Sequence, residues 1–243
     1  MRSIALPCTA LVASAAALLA GCGSSSSATT TPASTTQTAA ASSSSAAPVA
    51  SPATAAQLQT VVLQLADLPG TWTAAAHDKD PNDAAESAKD AACIGTKDTH
   101  PDQVASVDSQ DFTQGAVSVS SSAYSFRSAA DVASDKAVLS NPKLVSCAKA
   151  DIQAGLDAGS SLTAFDMTFT PSSAGAPSNI DGTTSGSETV SASGQKQKIY
   201  FAQVYVTSGS LEAVIYAQSD SPIPAALLNG LAAKVATRAA AVA

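Results

Sequence analysis

The residues of this 243-residue chain whose types carry chemistry are four cysteines, two histidines and nineteen carboxylates, set against twelve lysines and arginines. The densest acidic stretch is HDKDPND at 77 to 83, where Asp78, Asp80 and Asn82 fall at positions 1, 3 and 5 of a calcium-loop pattern. The pattern then fails. Position 6 is Asp83 where the turn needs glycine, position 12 is Lys89 where the ion needs a bidentate glutamate, and Pro81 stiffens the chain between them. The stretch reads as a solvated acidic loop, with no metal implied. Nucleophilic catalysis needs a serine met by a histidine and a carboxylate. Serines abound, but no G-x-S-x-G turn presents one, and His77 and His100 lie in polar loop sequence. Trp72, Tyr124, Tyr200, Tyr205 and Tyr216 each join an apolar body to a polar tip, as pocket-lining residues do. The tyrosines fall on strand-like sequence, so core-edge packing is their simpler reading. Trp72 and Tyr205 are retained as the candidate ligand-binding residues.

The cysteine with the most specific context is Cys22. Arg2 gives a positive start, residues 4 to 20 are apolar and uncharged, and the run closes on Leu19-Ala20-Gly21-Cys22. A charged start, a short apolar run and small residues at its end make a secretory leader. A membrane span would need roughly 20 apolar residues and a basic flank. The four closing residues resemble the bacterial lipobox, which implies acylation of the Cys22 thiol and cleavage just before it. Two acyl chains give stable anchoring, at about 0.8 kcal/mol per buried CH₂.

Residues 23 to 56 are Ser, Thr, Ala, Pro and Gly with little else. Such a segment cannot bury enough apolar area to offset its conformational entropy, so a disordered tether is expected. As a flexible coil it would hold the domain about 30 to 35 Å from its anchor. With Cys8 in the leader and Cys22 acylated, Cys93 and Cys147 remain, and an exported pair without C-x-x-C spacing is expected to form a disulfide. The expected organisation is a signal peptide at 1–21, the lipidated cysteine and linker at 22–56, and one folded domain at 57–243. The formal net charge of -7, one unit more negative once Arg2 leaves with the leader, argues against nucleic acid.

Element by element, Leu58, Val61, Val62 and Leu65 predict an amphipathic helix over 55–66, stopped by Asp67-Leu68-Pro69-Gly70. A second helix over 84–95 carries Cys93. Residues 115–126 alternate as a strand, Ser128 and Asp131 open a helix running to Leu139, and a further helix over 143–157 carries Cys147. Phe165, Met167 and Phe169 share one face of a strand over 162–170, and 187–194 reads as a weak polar strand. Strands 197–207 and 210–219 flank Ser208-Gly209 as a hairpin, and a helix from about 224 buries Leu227, Leu228, Leu231 and Val235. The expected fold is α+β, an antiparallel sheet of five to six strands covered by helices.

LQLADLPGTWT, one cysteine in each of two helices, the strand AVSVSSSAYSF followed at once by RSAADVASD, and the late hairpin with its terminal helix together resemble secreted actinobacterial lipoproteins. The group is the sensor-domain-containing one, similar to the extracellular sensor domain of the PknH type and more distantly to LpqN lipoproteins with a PsbP-like α/β sandwich. The PknH-type domain holds two disulfides where this chain has cysteines for one. The resemblance implies extracytoplasmic ligand binding or partner contact more than catalysis, and it names no ligand or cofactor. The functional expectation is a non-catalytic binding or sensing module, lipid-anchored on the outer face of the cytoplasmic membrane, whose partner is an envelope lipid, glycan or protein. The alternatives are a hydrolase acting on envelope glycan or lipid, and a structural accessory subunit of an envelope assembly.

Overall fold

A computed structural model describes residues 51–78, 83–173 and 175–243. The leader, Cys22, nearly all of the tether and the centre of the HDKDPND stretch lie outside the described residues. The elements in chain order are α1 (Ala55–Val61), β1 (Thr73–Ala75), α2 (Asp83–Ile94), β2 (Gln103–Asp108), β3 (Asp111–Gln114) and β4 (Val117–Phe126). They continue with α3 (Ala129–Val138), α4 (Leu144–Gly155), β5 (Ser160–Pro171), β6 (Ile180–Ala192), β7 (Gln195–Ser208), β8 (Leu211–Ser219) and α5 (Ala225–Val242). The α+β class with an antiparallel sheet is as expected, but the sheet has eight strands, in the order β1-β3-β4-β8-β7-β6-β5. The edge of β4 away from β8 is shared: β3 pairs with Val117 to Val119, and β2 with Ser122 to Phe126. The short strands β1, β2 and β3 gave no periodic signal, and they account for most of the shortfall.

The first face of the sheet is largely apolar. Val119 and Ala123 of β4, Leu211, Ala213, Ile215 and Ala217 of β8, and Ala202, Val204 and Val206 of β7 pack with α1 and α5 into the main core. Helix α5 contributes Leu228, Leu231 and Val235 together with Ala232, Ala236 and Ala239, whose small side chains admit a close approach. Thr54 and Gln57 start α1 with a reciprocal capping box. The helix ends five residues earlier than the sequence suggests. Val61, Val62 and Leu63 are all buried, which a single helix face cannot provide, so the chain turns extended at Val62 and the Leu63 amide donates to Ser121 Oγ at 2.7 Å. Leu65, expected in the core, is 46% exposed.

Helices α2, α3 and α4 serve the second face. Ile94, Val138, Leu144 and Cys147 form a smaller cluster against Met167 of β5. Cys93 and Cys147 form the expected disulfide, with Cα atoms 5.9 Å apart, and so tie α2 to α4. The polar strand expected at 187–194 is the end of a thirteen-residue β6. Its first half hid behind Gly182 and Gly186, where strand propensity is lowest. A Cβ at Gly182 would lie 2.5 Å from Thr170 O, and one at Gly186 only 2.0 Å from Asp166 O, so the pairing with β5 requires glycine at both. Among the described residues no helix is long and apolar enough to cross a membrane.

Candidate functional site

The sheet register sets the second face out in rows that cross the strands. One row runs Thr184, Gln203, Tyr216, Ser120 over β6, β7, β8 and β4. The next runs Gly182, Tyr205, Val214, Ser122, and the third Thr207, Glu212, Tyr124. Cross-strand neighbours on one face have Cβ atoms about 4.5 to 5.5 Å apart, so these side chains touch. Three tyrosines, a glutamine, a glutamate, a valine, and several threonines and serines therefore occupy a face that packing alone would fill with aliphatics. An apolar strip lies beside them, where Phe165 and Phe201 stack at 6.0 Å.

Asp181 joins this face through a β-bulge. Ile180 pairs with Val206 and Gly182 with Tyr205, so Asp181 is the extra residue. Bulges re-aim side chains, and this one brings the Asp181 carboxylate to Lys136 of α3, with only 5% of its side chain exposed. Helix α3 lies over the rows and aligns Val132, Asp135 and Val138 at a spacing of three. Asp135 accepts from Thr99 Oγ1 at 2.5 Å. At the rim, Lys97 pairs with Asp102 and, at 3.3 Å, with Asp131, while Ser128 Oγ accepts from the Asp131 amide and starts the helix.

Burial governs the electrostatics. It pushes the Glu212 carboxyl well above the usual range, and the charges of Asp135 and Asp181 push the same way. Asp135 is raised chiefly by burial, with Asp131 and Asp102 adding to the rise, while its Thr99 hydrogen bond and Lys97 oppose it. Tyr205 is raised by burial, against its contact with Thr184 and helped by the charge of Glu212, and its hydroxyl donates to Gln203 Oε1 at 2.5 Å. Tyr216 is raised by burial and then by Tyr124 and Tyr205 beside it. Three buried polar atoms of this site lack a partner at hydrogen-bonding geometry: Thr184 Oγ1, Tyr216 OH and Asp181 Oδ2. Thr184 Oγ1 lies near the Tyr205 hydroxyl, and Tyr216 OH near Tyr124, without closing a well-formed bond.

The two candidate ligand-binding residues are not brought together. Trp72 is buried in the first-face core, and its indole N–H donates to Pro69 O at 2.9 Å. Tyr205 is on the second face, with the sheet between them. Tyr124 and Tyr216 join Tyr205. Tyr200 takes the opposite alternation on β7 and lies beneath the Lys198 ammonium at 4.7 Å. His77 binds Asp111 Oδ1 at 2.8 Å, and His100 opens the turn before β2. Sequence reasoning passed over Glu212, Gln203, Thr184, Asp135 and Asp181. Signals existed for some: Glu212 and Gln203 interrupt apolar strands, and Asp135 sits on the apolar stripe of its helix. Among the described residues no three His, Cys, Asp or Glu side chains are arranged to hold a metal ion.

No family model and no curated protein matches this sequence. Among solved structures, the extracellular domain of PknH from Mycobacterium tuberculosis aligns over 78% of this chain and 96% of its own, with a TM-score of 0.37 and 11% identity.

Proposed function

We propose that the chain is exported, held by lipid on Cys22 at the outer face of the cytoplasmic membrane, and displays a non-catalytic domain that binds or senses a component of the cell envelope. The contact surface in this reading is the tyrosine-lined second face beneath α3. One observation supports it above the rest: that face buries polar groups and leaves three of their atoms without a well-formed hydrogen bond. An unsatisfied buried polar atom costs roughly 1 to 3 kcal/mol, and a group retained at that cost is explained when a ligand or ordered solvent completes it. Export is supported by the leader sequence, and by the Cys93–Cys147 disulfide, a bond that persists in oxidising compartments.

Native mass spectrometry of the full chain, extracted in mild detergent, tests both halves. The expected spectrum shows acyl mass on Cys22 and a further non-covalent mass, and a Thr184→Val, Tyr216→Phe double variant keeps the first and loses the second. A Cys22→Ala protein that stays with membranes through a high-salt wash would overturn the anchor. A wild-type spectrum identical to the double variant's would overturn the ligand face.

A further inference from the structure

The sheet ends at β5, a strand of twelve residues with a neighbour on one side only. At the other end lie the short strands β1 and β2, of three and six residues. An edge strand presents unpaired N–H and C=O groups to any strand that can align with them. The register shows which groups of β5 face out. The Asp166 and Thr170 carbonyls point at β6, where a Cβ at Gly186 or Gly182 would strike them, and the Ser172 amide donates to Asp181 O at 2.9 Å. Backbone groups alternate in direction along a strand, so the amides and carbonyls of Phe165, Met167 and Phe169 turn outward, and no described residue bonds to them. Both ends of this stretch are closed. The Leu162 amide donates to Gln153 Oε1 of α4 at 2.9 Å, just before the bulge at Thr163, and Pro171 has no N–H to offer. Between them lies FDMTF, with no lysine, proline or bulge to blunt the edge.

We infer that this edge is a dimer interface, at which two copies of the chain pair residues 165–169 antiparallel about a two-fold axis at Met167. The segment's own pattern selects the occupant. Phe165-Asp166-Met167-Thr168-Phe169 keeps its apolar positions when read backwards, so a second copy sets Phe165 opposite Phe169 on the second face, where aromatic cross-strand pairs are favourable. On the first face Asp166 meets Thr168, and the one charge of the segment never faces itself. Each outward residue then donates and accepts with its counterpart, Met167 with Met167 and Phe165 with Phe169. Neighbouring registers do worse. An axis at Asp166 opposes two carboxylates, and an axis at Thr168 sets Phe165 against Pro171, which lacks the amide hydrogen. The strand is also ordered in advance: Phe165 stacks on Phe201, and Met167 packs on Ile94, Val138, Leu144 and Cys147, so pairing loses little side-chain freedom. An isologous contact closes on itself as a pair, which leaves no open β5 edge for a third chain. The inference is independent of the ligand face beneath α3.

The test is sedimentation velocity of the full chain, with detergent micelles in excess over protein and over a wide range of protein concentration, paired with amide hydrogen exchange at each concentration. The wild type is expected to pass from monomer to dimer, with the Phe165, Met167 and Phe169 amides gaining protection as dimer forms. Thr168 is exposed, so its side chain can be changed without touching the core. Thr168→Asp sets a like charge against the second copy's Asp166 at two symmetric positions, and is expected to weaken association by about tenfold. Thr168→Lys sets an opposite charge there, and is expected to keep association or tighten it. A monomer at every concentration overturns the inference. So does equal weakening by the two variants, which would put the contact in another register, and so does a dimer whose three amides still exchange fast. Protection of those amides that does not change with concentration would assign the edge to a segment of the same chain, and overturns the second copy as its occupant.

Discussion

Thr184 and Tyr216 each bury a hydroxyl whose only nearby partner, Tyr205 and Tyr124 respectively, is met without a well-formed hydrogen bond. Were these residues there for packing, the methyl and the bare ring would serve better. Thr184→Val and Tyr216→Phe are therefore expected to leave stability unchanged or raise it by about 1 kcal/mol each, measured by denaturant unfolding, while binding is lost. Destabilisation beyond that amount would mark them as structural. Asp90 gives a second residue-scale expectation. It is 3% exposed on α2, and burial, with Asp151 next in effect, raises its carboxyl to about 7. The unfolded value is about 3.9, so the folded state holds the proton more tightly. The stabilisation is fully present below pH 4 and lost as pH rises toward 7, and Glu212 and Asp135 act in the same direction. The melting temperature should fall between pH 5 and pH 8, with a shallower slope in Asp90→Asn. A rising melting temperature over that range would contradict the burial argument. Tyr205 could be singled out from the sequence by its type and its strand. Its partners could not, because Glu212 and Asp181 become neighbours only through a three-strand register and a bulge.

At the scale of elements, the helices were readable and the strands only in part. Helices keep their period within one segment, so α2, α3, α4 and α5 lie within a few residues of their sequence signals. β6 was half missed because its glycines serve the neighbouring strand: Phe169 and Phe201 lie where the Gly182 and Gly186 side chains would be. The turn Ser193-Gly194, with φ of 50 and 77 degrees, closes the β6–β7 hairpin in the two-residue geometry that both positive angles allow. The helices also differ in how they are held. α5 buries six residues in the main core, while α3 buries Val132 and Val138 and relies on Asp135, Lys136 and Asp131 for its remaining ties. Polar ties at an exposed rim open at lower cost than apolar burial. Amide hydrogen exchange should therefore be faster across α3 than across α5, and should slow in α3 when the site is filled. Equal protection of the two helices would count against α3 as the cover of the site.

For the whole molecule, the sheet separates two tasks. The first face carries the aliphatic core that holds the fold, and it includes Trp72; the second carries the polar rows and the helices joined by Cys93–Cys147. Closing a loop with a sequence separation of 54 is worth about 4 kcal/mol in the chain-entropy model. Reduction is expected to lower the melting temperature and to loosen α2 and α4 before the first-face core, as read by exchange. A reduced protein that melts where the oxidised one does would contradict this. The division of faces also supplies the most direct test of the account. The chain has four tyrosines, three on the second face and Tyr200 on the first. Tyrosine ring resonances, labelled with carbon-13, can be followed while solubilised envelope lipids and glycan fragments are added to the folded protein. Saturable movement of Tyr124, Tyr205 and Tyr216 with Tyr200 still is the expected result. Movement of Tyr200 alone, or of no tyrosine, would contradict it.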